Sequence, residues 1–238
     1  MVHHALVEGV GAQEGTFLAS LPHVARDRLM AGAVVRAYPG GSPIFSAVDA
    51  PDRVAIVLQG MARTYLTSSD GRRLTVRFVR PGSMIGSLTV GRAAISVQAV
   101  VECTILELDR DALRALVVED GRIGLALIGE ITRRLEDTYV TLANNTFGSM
   151  RERVARHLLD LATEATHTDR LVAPVTQQAL ADGIGTVREV VARVLRDFRA
   201  EGLIATTEGC IEIIDLDAIA SIVRRSHPHE RESASVTK

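Results

Sequence analysis

Three charged side chains carry the chemistry that this chain has to place: Arg188, Glu189 and Arg193. They fall within Val175 to Ile204, which reads as two helices joined by a tight turn. Val191, Val194, Leu195 and Phe198 make an apolar stripe on the second helix. The three charges lie off that stripe, toward the N-terminal half of the helix. An arginine there can bond guanine O6 and N7 together, and a glutamate can accept from cytosine N4, so the chemistry is that of base edges in a major groove. Thr176, Gln177 and Thr186 offer donors, with the positive end of a helix dipole, for backbone phosphates. The bland alternative is a solvated helix face laced with Arg–Glu pairs. The frame around the charges weighs against it. Thr176 suits an N-cap, Ala181 is small where two helices cross closely, and Gly185, four residues on, tolerates the positive φ of the turn. Leu203 to Ile213 reads as two short strands around Glu208-Gly209, a wing whose tip, Thr206 to Gly209, is placed to touch phosphate.

The elements that must position this segment change period along the chain. Residues 33–108 read as short strands with turn punctuation. Val54 to Leu58 is one run, Met61 to Leu66 another, and Ser69-Asp70-Gly71 is a hairpin turn. Leu74, Val76 and Phe78 alternate with Thr75 and Arg77, which predicts that the apolar three face the core. Pro81-Gly82 breaks that run, and Val97 to Val101 and Thr104 to Leu108 are two further strands. Many short strands with glycine-rich turns imply a β-sandwich or barrel. A short helix follows over Asp109 to Val117, with Asp109 or Asp111 near its start.

Residues 122–146 carry the longest helical pattern. Ile128, Leu135 and Leu142 recur every seven residues, with Ile131 and Thr138 as a second row. That heptad seam predicts a partner helix in a homodimer, the alternative being a core helix lying on its own barrel. Arg133-Arg134 and Glu136-Asp137 suit exposed flanks of the seam. Asn144 to Ser149 interrupts the helical run, and Arg151 to Ala165 forms the next helix with Val154, Leu158 and Leu161 on one face. Ser226 to Lys238 lacks periodicity and reads as a flexible tail.

Composition narrows the function classes. The 238 residues are 47% hydrophobic and 24% charged, so a packed core is expected rather than disorder. The net charge of -2 gives no global basic field, which leaves room for a local basic face. Lys238 is the only lysine, so the positive charge is arginine, the better residue for bidentate pairing. Cys103 and Cys210 are the only cysteines; they exclude a disulfide scaffold and read as buried strand residues rather than redox switches. His3, His4, His23, His157, His167, His227 and His229 all fall outside residues 24–156, so no barrel strand offers a haem ligand, and no metal site or cofactor is expected. No Ser/His/Asp array, P-loop or HExxH motif is present, which argues against an enzyme and leaves no catalytic residue to name. No apolar run approaches the ~20 residues of a membrane span. Met1 to Gly11 carries Glu8 and no basic stretch, so it does not resemble a secretory signal, and the expected compartment is the cytoplasm.

At this point the chain resembles the Crp/Fnr family of regulators. The C-terminal carriers are T-Q-Q-x-L-A-D-x-I-G-T-x-R-E, then V-x-R-V-L-R, then G-L-I. The N-terminal carriers are Tyr38-Pro39-Gly40-Gly41 to Ile44-Phe45, Val57-Leu58-Gln59-Gly60, Asp70-Gly71-Arg72 and Pro81-Gly82 to Ile85-Gly86, with the match spanning roughly residues 20–222. The resemblance implies an α+β fold: a cyclic-nucleotide-binding-like β-roll (jelly roll), a long dimerisation helix and a C-terminal winged helix-turn-helix. It divides the chain into a β-roll sensor domain over 1–121, dimerisation helix and hinge over 122–147, a DNA-binding domain over 148–225 and a tail over 226–238. It implies a transcription regulator, a homodimer on double-stranded DNA that also meets RNA polymerase. Arg188, Glu189 and Arg193 match the base-reading positions of the cyclic AMP receptor subtype, which implies an inverted repeat resembling TGTGA-N6-TCACA. Val187 and Val190 stand where hydroxyl residues often contact phosphate, and Gly183 stands where the turn usually has an aliphatic residue.

The effector pocket departs from the family. Cyclic AMP binders carry Gly-Glu-Leu and, about ten residues on, Arg-Ser; this chain has Gly86-Ser87-Leu88 and then Ala93-Ala94-Ile95. The phosphate of a cyclic nucleotide would lose its charge-assisted partner. Arg92 is a substitute only if its loop shifts, and otherwise a solvated arginine. A pocket would be lined by Ser87, Ala93, Ala94, Thr138 and Tyr139, the last two alternatively packing the dimer seam, and would suit an uncharged or weakly polar small molecule. Three readings follow: a regulator controlled by an effector other than cyclic AMP, an effector-independent DNA-binding dimer, and a ligand-binding or interaction module that has lost DNA binding.

Overall fold

The computed structural model describes residues 7, 9–10, 13, 15–46, 53–71, 73–86, 88, 95–165, 171–207 and 209–224. The chain divides into two compact units, one drawn from Met1–Thr67 and Thr75–Val140, the other from Ser68–Leu74 and Thr141–Lys238.

Among the described residues, the first unit has the helices α1 (Phe17–Ser20) and α2 (His23–Ala31) ahead of eight strands. These are β1 (Val34–Tyr38), β2 (Pro43–Phe45), β3 (Arg53–Gln59), β4 (Ala62–Thr67), β5 (Arg73–Val79), β6 (Met84–Ile85), β7 (Ser96–Ala99) and β8 (Cys103–Asp109). They form two four-stranded sheets in the orders β1-β8-β3-β6 and β2-β7-β4-β5, a jelly roll with antiparallel pairing. Strands β3 and β8 are buried on both faces, which is why they read as near-continuous apolar runs. Ala55, Val57, Cys103 and Ile105 face the space between the sheets with Ala62, Val79, Val97 and Ala99. Val54, Ile56, Leu106 and Leu108 face outward, onto a helical layer.

Helices α3 (Arg110–Glu119) and α4 (Gly121–Phe147) build that layer with α1 and α2. Asp109 caps α3, its carboxylate accepting from the Ala112 amide at 2.6 Å. Leu113 and Leu116 of α3, then Ile123 and Leu127 of α4, close over the outward face of the roll. Helix α4 continues to Phe147, so the expected interruption from Asn144 is confined to Gly148-Ser149. There Ser149 and Glu152 form a reciprocal capping box. The Ser149 amide donates to Glu152 Oε2 at 2.7 Å and the Glu152 amide to Ser149 Oγ at 3.3 Å, starting α5 (Met150–Ala165) at once.

Strand β5 overturns one expectation. Its buried residues are Thr75, Arg77 and Val79, while Leu74, Val76 and Phe78 are half-buried. The inward face of the roll holds a guanidinium here because polar partners are present: Arg77 donates to the Met84 carbonyl at 3.3 Å and stands 3.9 Å from the Asp137 carboxylate. Arg134 is likewise turned inward rather than flanking an exposed seam.

The second unit packs α5 with β9 (Val172–Ala173), α6 (Gln177–Ile184), α7 (Arg188–Ala200), β10 (Ile204–Thr207), β11 (Cys210–Ile213) and α8 (Leu216–Arg224). Its antiparallel sheet has the order β10-β11-β9. Val154, Leu158 and Leu161 of α5 are buried, as the spacing predicts, beside the buried Ile219 of α8. Both cysteines lie on strands, but only Cys103 is buried; Cys210 is half-buried beside the wing turn, with its sulfur 2.7 Å from Thr207 Oγ1.

Candidate nucleic-acid interface

Helices α6 and α7 meet through a left-handed turn. Thr176 caps α6, its hydroxyl accepting from the Ala179 amide at 3.1 Å. Gly185 closes the helix at φ 68 and ψ 41, where a side chain would be strained. The Gly185 amide donates to the Ala181 carbonyl, and so does that of Thr186, at 3.0 Å. Ala181 is fully buried at the crossing.

The departure at Gly183 has a steric reason. A Cβ there would lie 2.3 Å from His157 Nε2 and 2.6 Å from its Cε1. The imidazole of His157, 8% exposed on α5, occupies the volume that an aliphatic side chain fills in the resembled pattern. One turn earlier, Arg153 donates to the Ile184 carbonyl, so α5 grips the end of α6 twice. Burial holds the Arg153 guanidinium below its usual range, and its Nε finds no hydrogen-bond partner.

Helix α7 is strongly two-faced. Val191, Leu195 and Phe198 are fully buried, and Val194 is half-buried at the edge of the stripe. Arg188, Glu189 and Arg193 are exposed. Glu189 and Arg193 are i, i+4 neighbours, and the exposed Arg196, which the sequence reading passed over, continues their row at i+7. Arg188 is placed differently. It lines an open groove of about 390 Å³ with Thr176 and Gln177 from the start of α6 and Thr206, Thr207 and Cys210 from the wing. Val187, the N-cap of α7, is half exposed and offers no side-chain hydrogen bond, so the first amides of the helix stand beside Arg188 without a side-chain cap. Thr186 is half-buried at the turn and does not line the groove.

Two contacts fix the far end of α7. Arg199 donates to Thr206 Oγ1 at 2.9 Å, tying the helix to the wing. Arg151 pairs with Glu201 through both carboxylate oxygens and stacks over Phe198 at 4.6 Å. That hydrogen-bonded pairing holds the Glu201 carboxyl below its ordinary value.

The seam expected on α4 is solvent-exposed in the single chain: Ile128 60%, Ile131 58%, Leu135 48% and Leu142 58%. The helix does lie on its own roll, but through Ile123, Leu127 and Glu130, leaving the heptad stripe outward. Tyr139 is on the exposed side, and the Thr138 hydroxyl donates to the Arg134 carbonyl of its own helix at 2.7 Å. The remaining expected pocket residues, Ser87, Ala93 and Ala94, lie outside the described residues, as does Arg92. Among the described residues, no helix is long and apolar enough to cross a membrane.

Comparison with known proteins agrees with this geometry. Residues 35–120 match the cyclic nucleotide-binding domain and residues 152–222 the Crp-like helix-turn-helix domain. A CRP-like cAMP-activated global transcriptional regulator of Mycobacterium tuberculosis is 29% identical over 79% of this chain and 87% of its own length. The transcriptional regulator LdrP of Thermus thermophilus is 31% identical over 68% of this chain and 82% of its own length. Among solved structures, a putative regulator of the Crp/Fnr family from Eubacterium rectale superposes with a TM-score of 0.73 at 20% identity, covering 87% of this chain and 96% of that one. This chain belongs to the Crp/Fnr family of DNA-binding transcription regulators.

Proposed function

We propose that the protein acts as a homodimer reading an inverted repeat in double-stranded DNA, of the form TGTGA-N6-TCACA. The observation that carries this reading is the division of labour on α7. Glu189 and Arg193 stand in one exposed row over a fully buried opposite face, while Arg188 shares a groove with the start of α6 and the wing. The row suits base edges, with Arg188 beside it as the third base reader, and the groove that Arg188 lines suits a phosphate, held by the Thr176 and Gln177 groups and the uncapped start of α7. The exposed stripe Ile128, Ile131, Leu135 and Leu142 is the surface that pairs two copies, so that two α7 helices enter successive major grooves about one turn of DNA apart. RNA polymerase is the expected further partner, and the cytoplasm the expected compartment. The Mycobacterium tuberculosis relative is named cAMP-activated. Gly86-Ser87-Leu88 and Ala93-Ala94-Ile95 give this chain neither charged group that such a ligand needs, so its control differs.

A shift assay on the inverted-repeat duplex, over a series of salt concentrations, tests the reading. Retardation of that duplex, lost on a scrambled one of equal length and weakening as salt rises, is expected. Equal affinity for both duplexes, or for neither, contradicts it.

A further inference from the structure

This sequence lacks the Glu and the Arg-Ser of the resembled cyclic AMP binders, but charged side chains of α4 and β5 reach the backbone on either side of Ile85. Glu130 of α4 is 1% exposed. Its Oε1 accepts from the Met84 amide at 3.1 Å and from Arg134 Nε at 3.1 Å. Its Oε2 lies 2.9 Å from Arg133 Nη2, an ion pair whose approach makes no hydrogen bond. Arg134 reaches onward, donating Nη1 to the Gly86 carbonyl at 2.9 Å. From the other side Arg77 of β5, 6% exposed, donates to the Met84 carbonyl and faces Asp137 of α4. The backbone of Met84 and Gly86, on either side of Ile85, is therefore held by side chains of two other elements.

Burial opposes this arrangement. It lowers the Arg77 guanidinium to about 10, with the neighbouring Arg134 adding to the shift. It lowers Arg134 as well, against the raising effect of Glu130. A buried ionic cluster is rarely a route to stability alone, and its best-attested use is to fix one register among several. Register is what α4 needs, because its stripe Ile128, Ile131 and Leu135 is adjacent to Glu130 and Arg134 along the same helix. Glu130 on the Met84 amide and Arg134 on the Gly86 carbonyl, one turn apart, tie one face of the helix to the roll, and their own i, i+4 pairing holds the two side chains together.

We infer that Glu130, Arg134 and Arg77 clasp α4 to the roll with the chain's own charges, so that the order of α4, and DNA binding with it, needs no charged effector. The inference rests on the reading above that α4 pairs two copies. It adds that the bridge from the helix to the Met84 and Gly86 backbone is built in.

Hydrogen exchange on the full-length dimer tests the clasp without DNA. Amides of α4 over 126–140 are expected to be protected with no ligand added and unchanged by millimolar cyclic AMP. Glu130→Gln should speed their exchange by roughly tenfold or more while leaving α7 amides unaffected. Arg134→Lys, which keeps the charge but cannot bridge Glu130 and Gly86 together, should fall in between; it carries the comparison if Glu130→Gln does not fold. Protection of α4 that arises only with cyclic AMP overturns the inference, and so does an exchange pattern in both variants identical to wild type. DNA binding separates this from the functional reading. Wild type should bind the inverted repeat equally with and without cyclic AMP, Glu130→Gln more weakly. Binding that requires the nucleotide defeats the clasp and leaves the regulator. Exchange as expected with no DNA bound under any condition leaves the clasp and defeats the regulator.

Discussion

In the first unit Arg63, Arg77, Glu107 and Glu130 are 7%, 6%, 5% and 1% exposed, whereas every charged residue of α7 in the second unit stands in solvent. The buried set is met internally. Arg63 donates twice to Gln98 Oε1, at 3.1 and 2.9 Å. Glu107 receives Arg36 at 3.1 Å, Arg53 at 3.2 Å and the Tyr38 hydroxyl at 2.8 Å. On α7, the row Glu189, Arg193 and Arg196 is open to solvent, free of any such burial. The roll uses charge to fix its own geometry, which a partner cannot easily compete for. The helix keeps charge hydrated, where a polyanion can take it with little desolvation cost.

Leu135→Asp has the largest expected effect. It leaves each chain's charge network intact and places a carboxylate in the pairing stripe, where burial without a partner costs several kcal/mol. Sedimentation should show monomers, with DNA binding reduced beyond detection; a variant that remains dimeric at micromolar concentration removes the stripe from the interface.

Gly183→Val comes next, and acts on the second unit alone. Its Cβ would meet the His157 ring at 2.3 Å, so an overpacking cost of about 1–3 kcal/mol is expected in thermal unfolding. His157→Ala in the same chain should recover most of it. Additive losses in the double variant would show that the ring and the glycine do not share that space.

The buried network of the first unit has an alkaline signature. Burial, then the hydrogen bond to Glu107, raises the Tyr38 phenol from 10.0 to about 12. A raised acid contributes stability that is full below pH 10 and is lost as pH rises toward about 12. Thermal unfolding of wild type should therefore lose its advantage over Tyr38→Phe across that window. A constant difference between pH 8 and 12 contradicts the pairing.

The smallest effect belongs to the exposed pair in the second unit. Glu201 is lowered from 4.5 by Arg151, so its contribution is present above that value and fades as pH falls through the lowered one. Glu201→Gln should differ slightly from wild type in melting temperature at pH 7 and match it in strong acid. A difference that persists in acid assigns the effect to packing of Arg151 on Phe198 instead.

The same contrast explains what could be read from the residues. Helix α7 was legible because its core face is purely apolar, Val191, Leu195 and Phe198, and its charges have nowhere to go but out. The two reading frames of β5 were inverted because alternation ranks Leu74, Val76 and Phe78 as inward. Arg77 is inward because the Met84 carbonyl, across the next turn, and Asp137, far along the chain, meet it. Glu130 was hidden for the same reason, as one acid among charged neighbours on α4. Helix α2 carries weak periodicity because it buries only Ala25 and Leu29. Helix α8 left one usable sign, Asp215, whose carboxylate accepts from the Ala218 amide at 2.9 Å as an N-cap does. The effector-loop residues Ser87, Ala93 and Ala94 lie outside the described residues, so the pocket drawn from them stays a proposal.

Selection from a randomised duplex pool, run for wild type and for Arg193→Ala, tests most directly that α7 reads bases. Loss of a bidentate guanine contact should cost about 1–3 kcal/mol per half-site, count twice on a palindrome and relax preference at one base pair of each half. The selected sequence should therefore change at that position and keep its other preferences. If wild type and variant select the same sequence and only affinity falls, with a shallower dependence on salt, Arg193 is a phosphate clamp and base reading by this face of α7 is wrong.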